Sequence, residues 1–104
     1  MNTIEVSVVV YEDGDLWVAQ GIEFDIAARA PNISLLPRAF ERALIANLAA
    51  THEVGRTGFA GIGPAPREFR EMFERAHFNI SERDGGISPP QGIKIGNVRL
   101  AEAS

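Results

Sequence analysis

The chain has no cysteine among its 104 residues, which excludes both a disulfide framework and a thiolate metal cluster. This fits a reducing compartment, and a cytoplasmic location is expected. No stretch approaches the ~20 continuous apolar residues needed to cross a bilayer, so no membrane association is expected. The opening segment MNTIEVSVVV has no cation ahead of its apolar residues, and polar residues interrupt them, which argues against a signal peptide. Basic residues are in the minority, 10 Lys and Arg against 14 Asp and Glu, for a net charge of −4. Autonomous nucleic-acid binding depends on cations that neutralise phosphates, so none is expected here. The acidic balance suits a partner that is itself basic. A hydrophobic content of 45% is enough for one globular domain over 1–104. Such a chain can bury roughly two-thirds of its unfolded surface.

The first half alternates like a sheet. From Thr3 to Tyr11, Ile4, Val6, Val8 and Val10 share one face, while Ser7, Val9 and Tyr11 share the other. Asp13-Gly14 is a favoured two-residue hairpin turn and Leu16 to Gln20 the return strand. That turn predicts Glu12 opposite Asp15, Tyr11 opposite Leu16 and Val10 opposite Trp17, with Trp17 in the core. Both faces of the hairpin are then apolar near its tip. The face bearing Val9, Tyr11, Leu16 and Val18 is the candidate protein interface, unless the C-terminal segment covers it.

A third strand is expected over Phe24 to Ala30, ended by Pro31-Asn32. A long helix follows from an N-cap at Ser34 to about His52, with Pro37 in its first turn. Leu36, Ala39, Phe40, Ala43, Leu44, Asn47 and Leu48 form the stripe that meets the sheet. Arg38, Glu41 and Arg42 belong to its solvent side. VGRTGFAGIGPAP reads as a mobile loop, and a short helix spans Pro66 to His77 with a Glu71–Arg75 pair. NISERDGGISPPQG reads as a second loop. The tail GIKIGNVRLA is either a tiny hairpin at Gly96-Asn97 or one bulged strand, the latter being favoured because three-residue hairpin arms are weak. The fold class is α+β, ordered β-β-β-α-α-β. Its sheet is mainly antiparallel with three to four strands, and one long helix lies on one face. Residues 1–52 form the core and 53–104 the loop, short helix and β-like tail.

Chemistry-bearing motifs are scarce. Glu12, Asp13, Asp15, Glu23 and Asp25 scatter over a turn, a connection and a strand, which specifies no acid–base or metal geometry. His52-Glu53 lacks the second histidine of a zinc-protease helix. Gly55–Gly63 lacks the Gly-Lys-Ser/Thr ending of a phosphate loop and follows a helix. Ser34 and Ser81 have no glycine elbow. No catalytic, cofactor-binding or metal-binding residue is assigned, and no enzymatic activity is expected.

Asp13-Gly14, Trp17 opening the second strand, Glu23 approaching the third, and the Ala-rich helix Ala39 to Ala50 together resemble the N-terminal domain of HicB-type antitoxins, over about half the chain. The resemblance implies a partial RNase-H-like fold without nuclease acids, a small basic mRNA-cleaving toxin as partner, and a homo-oligomer. Gly21-Ile22 and Ala30-Pro31-Asn32 depart from the family pattern. The second half shows no DNA-reading helix pair, so autorepression is not implied. Two other readings stay open: a stand-alone self-assembling module, and a metal-dependent nuclease using Glu23 and Asp25.

Overall fold

A computed structural model describes residues 3–80 and 86–101. The chain runs through β1 (Ile4–Asp13), β2 (Leu16–Gly21), β3 (Ala27–Ala30), a 3-10 turn (Ile33–Leu35), α1 (Leu36–Glu53), α2 (Arg67–Arg75), β4 (Phe78–Asn79) and β5 (Ile93–Leu100). The strands form one sheet in the order β3-β2-β1-β5-β4. The fold is α+β, but the sheet has five strands rather than three or four. It is also mixed, because β5 lies parallel to β1 while the other three pairings are antiparallel. β4 has two residues, too short for any period to reveal. The parallel pair is a long crossover that local patterning does not encode.

The hairpin register differs from the expected one. Asp13 pairs with Leu16, so Gly14 and Asp15 make the connection, with Gly14 at φ +61°. Glycine in the first loop position supplies the positive φ that such a turn requires. Every partner therefore moves by two: Val10 meets Ala19, and Trp17 faces Glu12 from a half-buried position at the edge of the core. A shift of two leaves the faces intact, because side chains alternate with period two.

β3 starts at Ala27 rather than Phe24, since the chain first makes a bend in which Ile26 N–H bonds to the Phe24 carbonyl. A Cβ on Gly21 would lie 2.9 Å from that carbonyl oxygen, so the bend needs glycine there. Ser34 is not the N-cap of α1. It lies within the 3-10 turn, and its hydroxyl donates to Asn32 Oδ1, while Leu35 occupies the cap position of α1 without a side-chain bond. α1 buries Leu36, Phe40, Leu44 and Thr51 against β3 and β2. Thr51 fits that stripe because its hydroxyl donates to Asn47 O one turn back. On α2 the ion pair is Arg67–Glu71 at 3.8 Å rather than Glu71–Arg75, and its exposure makes it a weak contributor.

The Gly/Pro-rich connection from Val54 to Pro66 is pinned to the core. Phe59 and Ala65 are buried, with the Phe59 ring 5.1 Å from that of Phe24. Asp25 N–H bonds to Gly63 O, and Ala65 N–H to Ile22 O. At the other end of the chain, β5 is one bulged strand: Val6 pairs with Ile95 and Val8 with Val98, leaving one extra residue near Gly96-Asn97. The bulge keeps Ile93, Ile95 and Val98 buried on one face. The second expected loop is described except over residues 81–85, so Ser81 lies outside the described residues. Phe59→Ala is expected to cost about 3–5 kcal/mol in urea denaturation, a core-sized loss that a loosely attached loop would not give.

Candidate functional site

The acids scattered in sequence remain scattered in space. Glu12, Asp13 and Asp15 are exposed at the hairpin tip. Glu23 Oε1 accepts the Ser7 backbone N–H at 2.6 Å. Ile22 N–H in turn donates to Ser7 O, so this segment continues the edge that β2 abandons at Gly21. Asp25 Oδ1 accepts from Gln20 Nε2 at 3.0 Å. The two acids of the nuclease alternative thus hold together a bend and a strand end. Among the described residues, no three His, Cys, Asp or Glu side chains converge to hold a metal ion. His52 stands in the last turn of α1 and His77 just after α2, both exposed.

The apolar face assigned to a partner is covered from within the chain. α2 lies across it: Phe69 stacks on Tyr11 with centroids 5.8 Å apart and 28° between planes. The Arg99 guanidinium sits 4.3 Å from the centre of the Phe73 ring, and Arg99 Nη1 donates to Phe73 O at 3.1 Å. Arg99 therefore supplies both a cation–π contact and a cap for a terminal helix carbonyl. Val9 and Val18 are fully buried as a result, Tyr11 is half-buried, and only Leu16, 40% exposed at the tip, remains open. The four residues do not make one accessible surface. The amphipathic face Phe69, Met72, Phe73 and Ala76 is what closes it.

The opposite face is less completely covered. α1 rests on β3 and β2, leaving a groove of 460 Å³ between its N-terminal turn and the edge strand β4. Val10 and Val98 form its floor, Phe78, Ile80 and Ile87 one wall, and Pro37 the other, with Ser34 its single polar lining residue. Phe78 is 60% exposed and Ile33, also on the rim, 42%. That volume lies within the range of ligand-sized clefts. β1 continues past Val10 into the acidic tip, so Glu12, Asp13 and Asp15 stand at the same end of the sheet. Sequence reading missed this groove because Phe78 opens a two-residue strand and Ile80 and Ile87 fell in a segment read as loop. The apolar-polar-apolar run Phe78-Asn79-Ile80 was the available signal.

Comparison with family models, with curated protein sequences and with solved structures finds no match for this chain. Among the described residues no helix is long and apolar enough to cross a membrane.

Tyr11 is the chain's one tyrosine, and burial pushes its phenol above the usual value, opposed by Arg29 and reinforced by Asp13 and Glu68. A raised pKa means the folded state holds its proton longer than the unfolded chain does. The associated stability is complete below the unfolded value near 10 and falls as pH rises through the folded one. Denaturation midpoints are expected to decline above about pH 10 and to decline less in Tyr11→Phe. A phenolate absorbance titration of the native protein reads the same shift directly.

Proposed function

We propose that this chain is a non-enzymatic interaction domain that captures a small basic polypeptide, anchoring an apolar side chain of that partner in the groove beside Phe78. The observation that carries the reading is the groove itself: a cleft lined by apolar side chains apart from Ser34, at the end of the sheet where three exposed carboxylates stand. Carboxylates at the same end of the sheet steer a cationic partner and raise its association rate, while a desolvated apolar anchor supplies affinity. The net charge of −4 acts in the same sense. The likeness of Asp13-Gly14, Trp17, Glu23 and Ala39 to Ala50 to HicB-type antitoxins gives this partner a class, a small basic mRNA-cleaving toxin in the cytoplasm. The order β-β-β-α followed by a strand on the same sheet supports a HicB-like, partial RNase-H-like reading of the fold.

The affinity surface differs from the one read from sequence. Val9 and Val18 are buried beneath α2, so contact falls to Phe78, Ile33 and the groove wall, with Leu16 at the margin. The test is purification of the tagged chain from its source cells beside a Phe78→Glu variant. A stoichiometric small basic protein that cleaves mRNA when produced alone, and is silenced by this chain, is the expected partner. Phe78→Glu is expected to weaken its binding at least ~10-fold, and Leu16→Glu to weaken it less. Recovery of the wild-type chain without such a protein would overturn the antitoxin reading. Equal binding by the wild type and Phe78→Glu would overturn the assignment of the groove.

A further inference from the structure

The face of the sheet that carries α1 is wider than one helix. α1 rests on β3 and β2, while the apolar cluster on that face continues through Val6, Val8 and Val10 of β1 to Ile93, Ile95 and Val98 of β5. One turn into α1 the remaining width is filled from the same chain: Ile87 is buried there, and Ser88 N–H donates to Glu41 Oε1 at 2.7 Å. Beside the first turn nothing among the described residues fills it, and this is where the groove lies. Neighbouring strands stand about 4.8 Å apart, which puts the β1–β5 boundary roughly 10 Å from the β3–β2 boundary. Packed helices keep their axes about 8–10 Å apart. The strip over Val10, Val98 and Leu100 therefore has room for one more helix beside α1.

We infer that the groove receives an amphipathic α-helix of the basic partner, lying antiparallel to α1 with its C-terminal turn at the acidic hairpin tip. This rests on the groove being the partner's site and deepens that reading by naming the element that enters. Two constraints select a helix. Val10 and Val98 belong to strands paired along both edges, so the floor offers an entering backbone no ladder to join. Ser34 is the single polar side chain of the lining, and its hydroxyl already donates to Asn32. An extended segment would leave its N–H and C=O groups unpaired there, whereas a helix satisfies them internally.

The direction follows from charge. Ala30 pairs with Trp17 and Trp17 with Glu12, so β3 runs toward the hairpin tip and α1, which follows it, starts at that end. A helix antiparallel to α1 opposes the two macrodipoles. Its last turn, where Lys and Arg are favoured, then stands at the end that carries Glu12, Asp13 and Asp15. Apolar residues at i, i+3, i+4 and i+7 give such a helix the stripe that meets the floor and the exposed Phe78 and Ile33 at its margins.

The native chain has no thiol, so a single cysteine can be placed at the groove without competition. Ser34→Cys puts it in the lining, Ile33→Cys on the same rim is a second placement, and Ala60→Cys, at an exposed position of the Gly/Pro connection, is the control. The probe is a synthetic peptide of about three helical turns, with leucines at i, i+3, i+4 and i+7, lysines in its last turn and one cysteine moved along its length. Disulfide exchange in a redox buffer reads which peptide positions reach the protein thiol. Cross-linking to the groove thiols is expected to exceed that to Ala60→Cys at least ~10-fold. It should peak at peptide positions three or four apart in the C-terminal half, and fall to the control level with a central proline in the peptide or with Phe78→Glu in the protein. Peaks at alternate positions, or cross-linking that survives the proline, would overturn the helix, and a maximum near the peptide's N-terminus its direction; all of these leave the groove as the partner's site. Cross-linking no greater than at position 60 also overturns the helix. The groove reading is then decided separately, by the response of the natural partner to Phe78→Glu.

Discussion

β1 is buried on both faces and hydrogen-bonded along both edges, and each of those four contacts draws in a different part of the chain. Val6, Val8 and Val10 face α1 and the β5 side chains, while Val9 faces α2. β2 occupies one edge and β5 the other. A strand with this much apolar surface is unstable until all its covers are present, so distant segments must cooperate. The Gly/Pro connection is one of them, because Phe59 closes the end of the core where Phe24 and Ile26 meet it.

The two faces of the sheet are closed by different means. α1 seals its half with interdigitated Leu36, Phe40 and Leu44, a contact of pure packing. α2 has no fully buried side chain of its own and is held through aromatic and cationic contacts to Tyr11 and Arg99. The difference follows from composition: α2 is short and strongly charged, so it offers one narrow apolar stripe. It covers Val9 and Val18 while leaving Leu16 uncovered at the tip. The open groove arises on the other face because α1 is centred over β3 and β2 rather than over the middle of the sheet.

Much of the core was legible in the residues. Strand faces followed from period two, and a hairpin slip of two positions could not corrupt them. The α1 stripe followed from helical spacing, and the bulged tail from the need to keep Ile93, Ile95, Val98 and Leu100 together. Legibility failed where the deciding contact was distant. The burial of Val9 and Val18 depends on where α2 docks, which its own pattern does not state. β4 exists because Phe78 and Asn79 find Leu100 and Arg99, not because two residues have a strand pattern. The candidate site suffered most, since the groove is a gap between elements and no element encodes a gap.

The sequence alone determined the class of fold, the faces of its strands and helices, and the acidic hairpin tip, because those depend on period, turn chemistry and charge within a few residues. Tertiary structure decided the strand order, the parallel β1–β5 pair, the closing of one apolar face and the opening of the other. These depend on which surfaces compete for the same cover. That competition is settled by shape and distance, which only the folded chain possesses.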